Sequence, residues 1–311
     1  MNTGKDYLLT LLKDEADVFT ALFEAKKLKE KYFGDFIETC SILNTKSGRC
    51  PSDCKFCAQS KSWPTKINAY PLLEEDKILA AAEEAQKAGI DRFSLVTSGV
   101  KPSRQEFKQI LNVIETIKER LPGLKLCASL GQLTTEELKA LKEAGLSRYH
   151  HNLETAESFY PYVCTTQQWR DRLKTAERVK EVGLSLCCGG IFGLGETAQQ
   201  VIEFAETLQK LAPDSVPVNF LHPIPGTPLE NASFLSPRKA LAILAVLRFM
   251  LPDKAIRVCG GREHNLRDLQ VFLLWPANAL MVGNYLTTSG RMLTDDSQMI
   301  KDMGLKSSLV I

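Results

Sequence analysis

Strand-like apolar segments alternate with helical segments along most of the 311-residue chain, and this alternation constrains the fold more than any other feature. Eight segments have the composition of buried strands. They cover residues 36–44, 91–97, 124–130, 147–153, 184–190, 215–220, 255–260 and 277–283. Because strands that alternate with helices pair in parallel, eight such units predict an α/β fold, a closed (β/α)8 barrel of the TIM type.

Between these strands lie segments with the period of amphipathic helices. The predicted helices cover residues 74–87, 105–120, 135–144, 168–182, 198–211 and 237–250, with a further helix over 14–32. Thr134 and Glu137 have the spacing of a capping box. We expect one domain over residues 1–311, with a helical extension at 1–35 and a C-terminal tail at 284–311 that covers the surface.

Charge and cysteine content narrow the class of protein. Thirty-nine Lys and Arg against 37 Asp and Glu give a net charge of +2, which argues against a nucleic-acid-binding surface. No apolar run approaches the ~20 residues that span a membrane, so no membrane association is predicted. Nine cysteines without a signal peptide indicate the cytoplasm, where disulfides are rare. The cysteines are therefore expected to be thiols or metal ligands.

Three of these cysteines, Cys50, Cys54 and Cys57, lie on one short segment directly after the first predicted strand. In a barrel this is the C-terminal end of the strand, where active sites are found. Three thiolates can hold three irons of a four-iron cluster and leave the fourth iron open to a ligand. A structural zinc site is the alternative, since Cys40 lies ten residues upstream and is a candidate fourth ligand.

The cysteine spacing, with Phe56 before the third cysteine, resembles that of the radical S-adenosylmethionine (SAM) enzymes. Further phrases resemble the biotin synthase family within that superfamily, at residues 45–51, 151–155, 189–197, 216–221 and 226–229. The resemblance implies insertion of sulfur into dethiobiotin to give biotin, with two SAM molecules spent per product. It implies a [4Fe-4S] cluster on the three cysteines, which bind it as catalytic residues, and an auxiliary iron–sulfur cluster that donates the sulfur. It also implies a flavodoxin- or ferredoxin-type electron donor and a homodimer.

The same resemblance assigns ligand roles to individual residues. Glu154 matches an acidic residue on the SAM ribose hydroxyls, and Asn152 matches another SAM contact. Arg172 matches the residue that faces the methionine carboxylate, a group that a guanidinium binds through two hydrogen bonds; a solvated helix position is the alternative. The remaining positions beside SAM are Phe56, Gly189, Gly190 and Ile191, where glycine permits a close approach of the backbone to the ligand.

Two residues match positions that contact the substrate. Asn219 corresponds to the residue that binds the ureido ring, because an amide can both donate to its carbonyl and accept from its N–H. A buried capping Asn is the alternative. His150 stands where other members of the family more often have Asn.

The auxiliary site departs from the better-known pattern, in which cysteines on the second, third and fifth strands and an arginine on the seventh hold a [2Fe-2S] cluster. Cys127, Cys187 and Arg257 match three of these ligands. Ser94 replaces the second-strand cysteine, and serine is a poor ligand for iron. Because residues two apart in a strand share a face, Cys259 is expected to point the same way as Arg257.

Cys40, on the first strand, lies beside the second strand that lost its thiol. We therefore expect a four-iron auxiliary cluster held by Cys40, Cys127, Cys187 and Cys259, with Arg257 beside it. A two-iron cluster with Arg257 as a ligand is one alternative, and buried cysteines without metal are another. Cys164 and Cys188 are predicted to be packing thiols.

For the whole chain, two other functions remain open at this point. One is a related radical SAM enzyme, such as a hydrogenase-cofactor maturase or a methylornithine-type mutase. The other is a non-catalytic metal-binding protein.

Overall fold

The computed structural model describes residues 4–15 and 17–310. Its strands are β1 (Glu38–Lys46), β2 (Arg92–Thr97), β3 (Lys125–Ser129), β4 (Arg148–His150), β5 (Ser185–Cys187), β6 (Gly190–Phe192), β7 (Ser215–Phe220), β8 (Ala255–Val258) and β9 (Ala279–Met281). They pair in parallel in the order β5-β4-β3-β2-β1-β9-β8-β7-β6, and β5 also pairs with β7. That last pairing closes the sheet, so the predicted barrel is confirmed.

The predicted fifth strand is wrong in one respect, because it is two short strands rather than one. Cys187 in β5 pairs with Ser215, whereas Gly190 in β6 pairs with Val218 further along β7. At Gly189, between the two strands, a Cβ atom would lie 2.0 Å from the Pro217 carbonyl oxygen. The backbones cross too closely there for a regular ladder, and only glycine fits.

Ten α-helices surround the described part of the barrel or extend it. They are α1 (Lys5–Asp14), α2 (Val18–Phe33), α3 (Glu75–Lys87), α4 (Arg104–Arg120), α5 (Thr135–Glu143), α6 (Trp169–Glu181), α7 (Ala198–Leu211), α8 (Pro237–Met250), α9 (Arg262–Leu266) and α10 (Leu293–Asp302). Two 3-10 helices, Tyr160–Tyr162 and Arg267–Leu274, lie in the loops. The capping box of Thr134 and Glu137 is confirmed at the start of α5.

The N-terminal extension differs from the prediction, because two helices replace one. α1 ends at Asp14 and is capped by Glu15, whose φ of 56° is left-handed; α2 begins at Val18. Both helices pack on α8. None of the helices in the described part of the chain is long and apolar enough to cross a membrane.

The prediction that residues 284–311 only cover the surface is wrong. In α10, Asp296 is fully buried and accepts a hydrogen bond from Arg262 Nη2 at 2.6 Å. Residues 285–288 line the central cavity of the barrel. Polar and small residues dominate the tail, so its sequence gave no apolar pattern that would indicate burial.

Candidate active site

One cavity of about 380 Å³ lies at the C-terminal ends of the strands, a volume typical of small-molecule sites. The predicted site residues that line it are Cys50, Cys54, Phe56, Cys57, His150, Asn152, Glu154, Arg172, Ile191, Asn219 and Cys259. The fold therefore gathers onto one cavity wall residues that come from separate segments of the chain.

The three-cysteine loop follows β1 and is held by its own backbone. The Cys50 amide donates to the Gln59 carbonyl at 2.9 Å, and the Cys57 amide donates to the Cys54 carbonyl at 3.0 Å. Gly48, with φ 76°, turns the chain from the strand into the loop. Cys54 is buried, and the other two cysteines are half-buried. All three cysteines of this hydrogen-bonded loop thus line the same cavity.

The loop thiols suit a cluster better than a single ion. Burial raises the pKa of Cys57 to about 11, and a hydrogen bond to Cys164, together with burial, raises the pKa of Cys54 well above its usual value. Iron must displace these protons, so cluster binding depends on pH. Within residues 4–15 and 17–310, no three His, Cys, Asp or Glu side chains converge on one ion. The three cysteines instead line one wall of an open cavity, an arrangement in which each thiolate can bind a different iron of one cluster.

Residues 163–167, which we call the brace loop, pack against the cysteine loop. The Asp53 carboxylate accepts hydrogen bonds from the backbone amides and the hydroxyls of Thr165 and Thr166. These bonds outweigh the effect of burial and hold the pKa of Asp53 below its usual range. Cys164 also contacts Asp53, at 3.2 Å. No motif in the sequence marks this loop, so sequence analysis missed it.

Glu154 and Arg172 form an ion pair of 3.2 Å on the cavity wall, with side chains only 13% and 12% exposed. Arg172 also donates to the Tyr160 hydroxyl at 3.0 Å and to the Asn152 carbonyl at 2.8 Å. Burial raises the pKa of Glu154, and Arg172 opposes that shift. Arg172 is therefore part of the cavity wall rather than a solvated helix residue.

Gly189 and Gly190 lie where neighbouring backbone segments approach each other closely. A Cβ atom at Gly190 would lie 2.2 Å from the Glu154 carbonyl oxygen, and the Ile191 amide donates to that same oxygen at 2.8 Å. The glycines let strand and loop backbones meet, which holds Glu154 in its left-handed conformation of φ 70°. Gly189, Gly190 and Ile191 were predicted to lie beside SAM. Of these, Ile191 lines the cavity.

Asn219 both joins two strands and faces the cavity. Its Nδ2 donates to the Gly190 carbonyl at 3.3 Å, and its Oδ1 accepts from the Gly260 amide at 3.1 Å. An amide side chain has two N–H groups and two lone pairs. One of each remains for a ligand, so the capping and the binding interpretations are compatible.

His150 lies 3.5 Å from Ser94, measured from Nδ1 to Oγ. Burial, together with Arg148 and Arg257, lowers the pKa of His150 to about 3. The imidazole is therefore neutral at pH 7, with one ring nitrogen able to donate and the other able to accept.

Two further polar atoms on the cavity wall were not singled out from the sequence. His151 Nε2 and Thr97 Oγ1 are buried, and neither has a hydrogen-bond partner in the part of the chain that the structure describes. Buried polar groups are normally paired. The cavity thus presents places for a polar ligand.

A second group of thiols lies inside the barrel, below this cavity; we call it the interior set. It consists of Cys40, Cys127, Cys187 and Cys259, which are at most 1% exposed. Cys40, Cys187 and Cys259 interact electrostatically with one another, and Cys127 with Cys40 and Cys187. Burial raises the pKa of Cys40 to about 11 and that of Cys259 well above its usual value. Cys259 also lines the cavity, so it lies between the two thiol groups.

Cys188, the neighbour of Cys187, packs instead in the apolar core between barrel and helices. This agrees with the expected alternation along the strand.

Three arginines and one glutamate surround the interior set. Glu38 binds Arg92 at 2.7 Å, Arg148 at 3.5 Å and Arg257 through a short hydrogen bond. Burial alone would raise the pKa of Glu38, but Arg257, Arg92 and Arg148 outweigh it and bring the value to about 2. Three guanidinium groups against one carboxylate leave two positive charges in the barrel interior.

Residues 285–288 close one side of the cavity. The Tyr285 amide donates to the Thr288 carbonyl at 3.0 Å, and the Asn44 side chain donates to the Leu286 carbonyl at 3.1 Å. The Tyr285 hydroxyl donates to Glu263 at 2.8 Å. The segment is thus tied to the barrel by specific hydrogen bonds.

Comparisons with known proteins agree with these features. A model of the Radical SAM superfamily matches residues 44–208, and a model of the Biotin and Thiamin Synthesis associated domain matches residues 217–306. The biotin synthase of Carboxydothermus hydrogenoformans is 48% identical over 294 residues, 94% of this chain and 90% of that protein. The biotin synthase of Thermodesulfovibrio yellowstonii is 47% identical over 298 residues, 96% of this chain and 94% of that protein.

Solved structures show the same fold. Methylornithine synthase superimposes with a TM-score of 0.86 at 22% identity, covering 99% of this chain and 94% of that chain. The FeFe-hydrogenase maturase from Carboxydothermus hydrogenoformans gives a TM-score of 0.80 at 22% identity, covering 94% of this chain and 72% of that chain. At such identities the likeness concerns the fold alone, because one fold hosts many activities.

Proposed function

The chain belongs to the biotin synthase family of radical SAM enzymes, and we propose that its two thiol groups divide the conversion of dethiobiotin to biotin between them. Cys50, Cys54 and Cys57 hold a [4Fe-4S] cluster at the cavity. When bound with SAM, this cluster supplies the electron that releases methionine and a 5′-deoxyadenosyl radical. Each of two substrate carbons loses one hydrogen atom to one such radical and gains one bond to sulfur, so two SAM molecules are spent per biotin.

The wall that contains Glu154 and Arg172 binds SAM. The Glu154 carboxylate accepts from the ribose hydroxyls, and the Arg172 guanidinium faces the methionine carboxylate. Asn152, whose side-chain oxygen accepts from the Gly189 amide at 3.2 Å, fixes the bend of the wall, and Phe56 and Ile191 pack beside the ligand. Support comes from their joint presence on the cavity and from the ion pair that orients the two charged groups.

Dethiobiotin lies between the SAM wall and the barrel interior. Asn219 keeps one N–H and one lone pair for the ureido ring, and the neutral His150 faces the same space. Residues 285–288 exclude water from this side. A radical formed in such a closed space reacts with a positioned partner before side reactions intervene.

The interior set holds the auxiliary cluster that supplies the sulfur. Four thiolates around a four-iron core leave the site with about two negative charges, and the two uncompensated positive charges of Arg92, Arg148, Arg257 and Glu38 balance them. The ion pair of Arg257 with Glu38 and the presence of a fourth thiol favour a four-iron cluster with Arg257 beside it over a two-iron cluster with Arg257 as ligand. The thiols of Cys40, Cys127 and Cys259, whose pKa values are raised by burial, release their protons when metal binds.

The partners and the location that we propose are those that membership of the family implies. The two electrons come from a flavodoxin- or ferredoxin-type donor, the enzyme acts in the cytoplasm, and it forms a homodimer. All nine cysteines are free thiols, which suits a reducing compartment.

The observation that carries the proposal is the position of Cys259, which belongs to the interior set and also lines the cavity. A substrate in the cavity can therefore reach both sites.

The test is a variant in which Cys50, Cys54 and Cys57 are all replaced by Ala, reconstituted without oxygen. About four irons per chain, with Mössbauer parameters of a four-iron cluster, are expected from the interior set alone. About two irons would contradict the four-iron assignment, and none would contradict the sulfur-donor site. Retention of deoxyadenosine formation by this variant would contradict the assignment of the loop.

A further inference from the structure

The cysteine loop and the segment that follows it carry an excess of positive charge. Between residues 49 and 73 the chain has four basic residues and one acidic residue, whereas the whole chain is nearly balanced, with 39 basic and 37 acidic residues. The four, which we call the basic surface, are Arg49, Lys55, Lys61 and Lys66. Three of them are exposed, and Lys55 is half-buried. In the part of the chain that the structure describes, none of the four forms an ion pair.

Backbone contacts fold residues 58–66 back onto the cysteine loop. The Lys61 amide donates to the Cys50 carbonyl at 2.8 Å, and the Thr65 hydroxyl donates to the Ala58 carbonyl at 2.5 Å. This arrangement brings two members of the basic surface to the loop, where the other two are chain neighbours of its first two cysteines. The positive charge is therefore concentrated around the proposed cluster site.

The basic surface lies outside the central cavity. Cys50, Cys54 and Cys57 line that cavity, but none of the four basic residues does. In the proposed function SAM and the substrate fill the cavity, so they close that side of the cluster to a second protein. The solvent-facing side of the loop remains open to one.

Trp63 connects the basic surface with a cysteine of the proposed cluster site. Its indole Nε1 donates to the Cys54 carbonyl at 3.0 Å, and its side chain is half-buried. Trp63 lies between Lys61 and Lys66 in the chain and does not line the cavity either. One hydrogen bond thus leads from a partly exposed aromatic ring to the backbone of a cluster-binding residue, which is a short path for an electron.

Two carboxylates belong to the same region, and both accept hydrogen bonds from the protein. Asp53 accepts from the brace loop. Glu230 accepts from the Gly226 amide at 2.6 Å, and a Cβ atom at Gly226 would lie 2.8 Å from the Pro64 carbonyl oxygen. Even with both carboxylates counted, four positive charges stand against two negative ones. The surface therefore attracts a partner with negative charge.

We propose that the basic surface is the docking site of an acidic electron-transfer protein, which passes one electron at a time to the loop cluster. The proposal rests on the proposed function of the cysteine loop and adds to it the place where the donor binds. In each encounter the reduced carrier loses one electron and the cluster gains it, and no bond is made or broken. Because electron-transfer complexes are small and transient, attraction between opposite charges governs how fast they form.

The test uses the reconstituted enzyme, with a recombinant flavodoxin of negative surface charge as the probe. One variant carries Lys61→Glu and Lys66→Glu together. The matched control carries Lys108→Glu and Lys139→Glu, which change the net charge equally at exposed positions on the outer helices α4 and α5. Biolayer interferometry measures the dissociation constant of the flavodoxin, and stopped-flow absorbance measures the rate at which the reduced flavodoxin bleaches the cluster.

The variant of the basic surface is expected to bind flavodoxin about tenfold more weakly than the wild type at low salt, and to be reduced by it correspondingly more slowly. The difference should shrink as the salt concentration rises, because salt screens exposed charges. The control variant is expected to behave like the wild type. Dithionite, a small reductant that needs no docking surface, should reduce all three proteins at similar rates.

Equal binding and equal reduction by flavodoxin in the three proteins at low salt would overturn the proposal. Equal losses in the two variants would also overturn it, because net charge alone would then explain the effect. A wild-type enzyme that dithionite reduces but that forms no deoxyadenosine from SAM would instead contradict the proposed function of the loop. Thermal unfolding of both variants checks that they fold.

Discussion

The cysteine loop and the interior set place thiols on two sides of one cavity, but they are built in opposite ways. The loop brings three cysteines together within eight residues and fixes them with backbone hydrogen bonds. The interior set takes one cysteine from each of four separate segments and depends on the closed barrel to bring them together. Two of the loop cysteines are half-buried, whereas all four interior cysteines are at most 1% exposed and only Cys259 among them lines the cavity.

Their electrostatic surroundings also differ. The carboxylates of Asp53 and Glu154 and the single guanidinium group of Arg172 lie near the loop, whereas the guanidinium groups of Arg92, Arg148 and Arg257 surround the interior set. An open site with little net charge on its cavity wall suits exchange of a ligand such as SAM. A closed, positive site suits retention of an anionic cluster. Burial and charge thus distinguish the two thiol groups of this barrel.

The largest expected effect is a loss of biotin formation without a loss of deoxyadenosine formation. Replacing Cys187 by Ala is expected to abolish biotin formation, because the interior set loses a ligand, while reductive cleavage of SAM at the loop continues. Deoxyadenosine and biotin are quantified together by mass spectrometry. Cys188→Ala is the matched control, since its side chain is equally buried but packs in the apolar core. Loss of biotin formation in both variants, or in neither, would contradict the proposed division of the reaction between the cysteine loop and the interior set.

The next effect concerns the charge of the interior site. Glu38 has a pKa of about 2 against an ordinary value of 4.5, so its stabilising effect is complete above about pH 4.5 and is lost as the pH falls towards 2. At pH 7, Glu38→Gln is expected to lower the free energy of unfolding of the metal-free protein by about 3 kcal/mol. Urea unfolding between pH 7 and pH 3 measures this difference, which should shrink as the pH falls.

Glu30→Gln is the control, because Glu30 forms an exposed ion pair with Lys26, and we expect no measurable change. The same measurement on the reconstituted protein tests the charge balance directly. In the Glu38→Gln variant, the positive charges of Arg92, Arg148 and Arg257 lose their carboxylate partner. An anionic cluster would compensate these charges, so the variant should be less destabilised with the cluster than without it. An equal loss in both forms would contradict the charge balance.

At the cavity wall, Glu154→Gln is expected to weaken SAM binding about tenfold, since a neutral amide accepts hydrogen bonds less strongly than a carboxylate. Isothermal titration of the reconstituted enzyme with SAM measures the dissociation constant. Glu157→Gln is the control, because Glu157 pairs with Arg170 on the exposed surface at 2.8 Å. An unchanged dissociation constant for Glu154→Gln would remove this residue from the SAM site.

The smallest expected effect is on stability, and it concerns the hydrogen bonds of the C-terminal tail. Tyr285→Phe removes a hydroxyl that donates to Glu263 and accepts from Arg262 at 3.2 Å, which is expected to cost about 1 kcal/mol of stability. Differential scanning calorimetry measures the shift in Tm. Tyr162→Phe, whose side chain is 66% exposed, should leave Tm unchanged. A similar shift in the two variants would show that the tail contacts contribute nothing specific.

Sequence patterns predicted the parts of the fold and site that depend on local spacing. The strands and helices follow from apolar periodicity, and Cys50, Cys54 and Cys57 follow from their separation. That Cys187 and Cys188 point to opposite sides follows from strand alternation, whereas the choice of Cys187 as the inward residue came from the family resemblance.

The missed features depend on contacts between distant segments. The contact between Cys164 and Asp53 joins residues 111 positions apart, and no periodicity encodes it. Tyr285 lies in a polar stretch, which in sequence cannot be distinguished from a surface loop. The break between β5 and β6 depends on how closely Gly189 approaches Pro217, a property of the closed barrel and not of the segment.

Of the four interior cysteines, Cys259 lines the cavity and the other three do not. If the interior set holds the sulfur-donating cluster that we propose, iron and sulfide that replace a spent cluster would approach it through the space that dethiobiotin and SAM fill during turnover. Replacement of the cluster and turnover would then exclude one another.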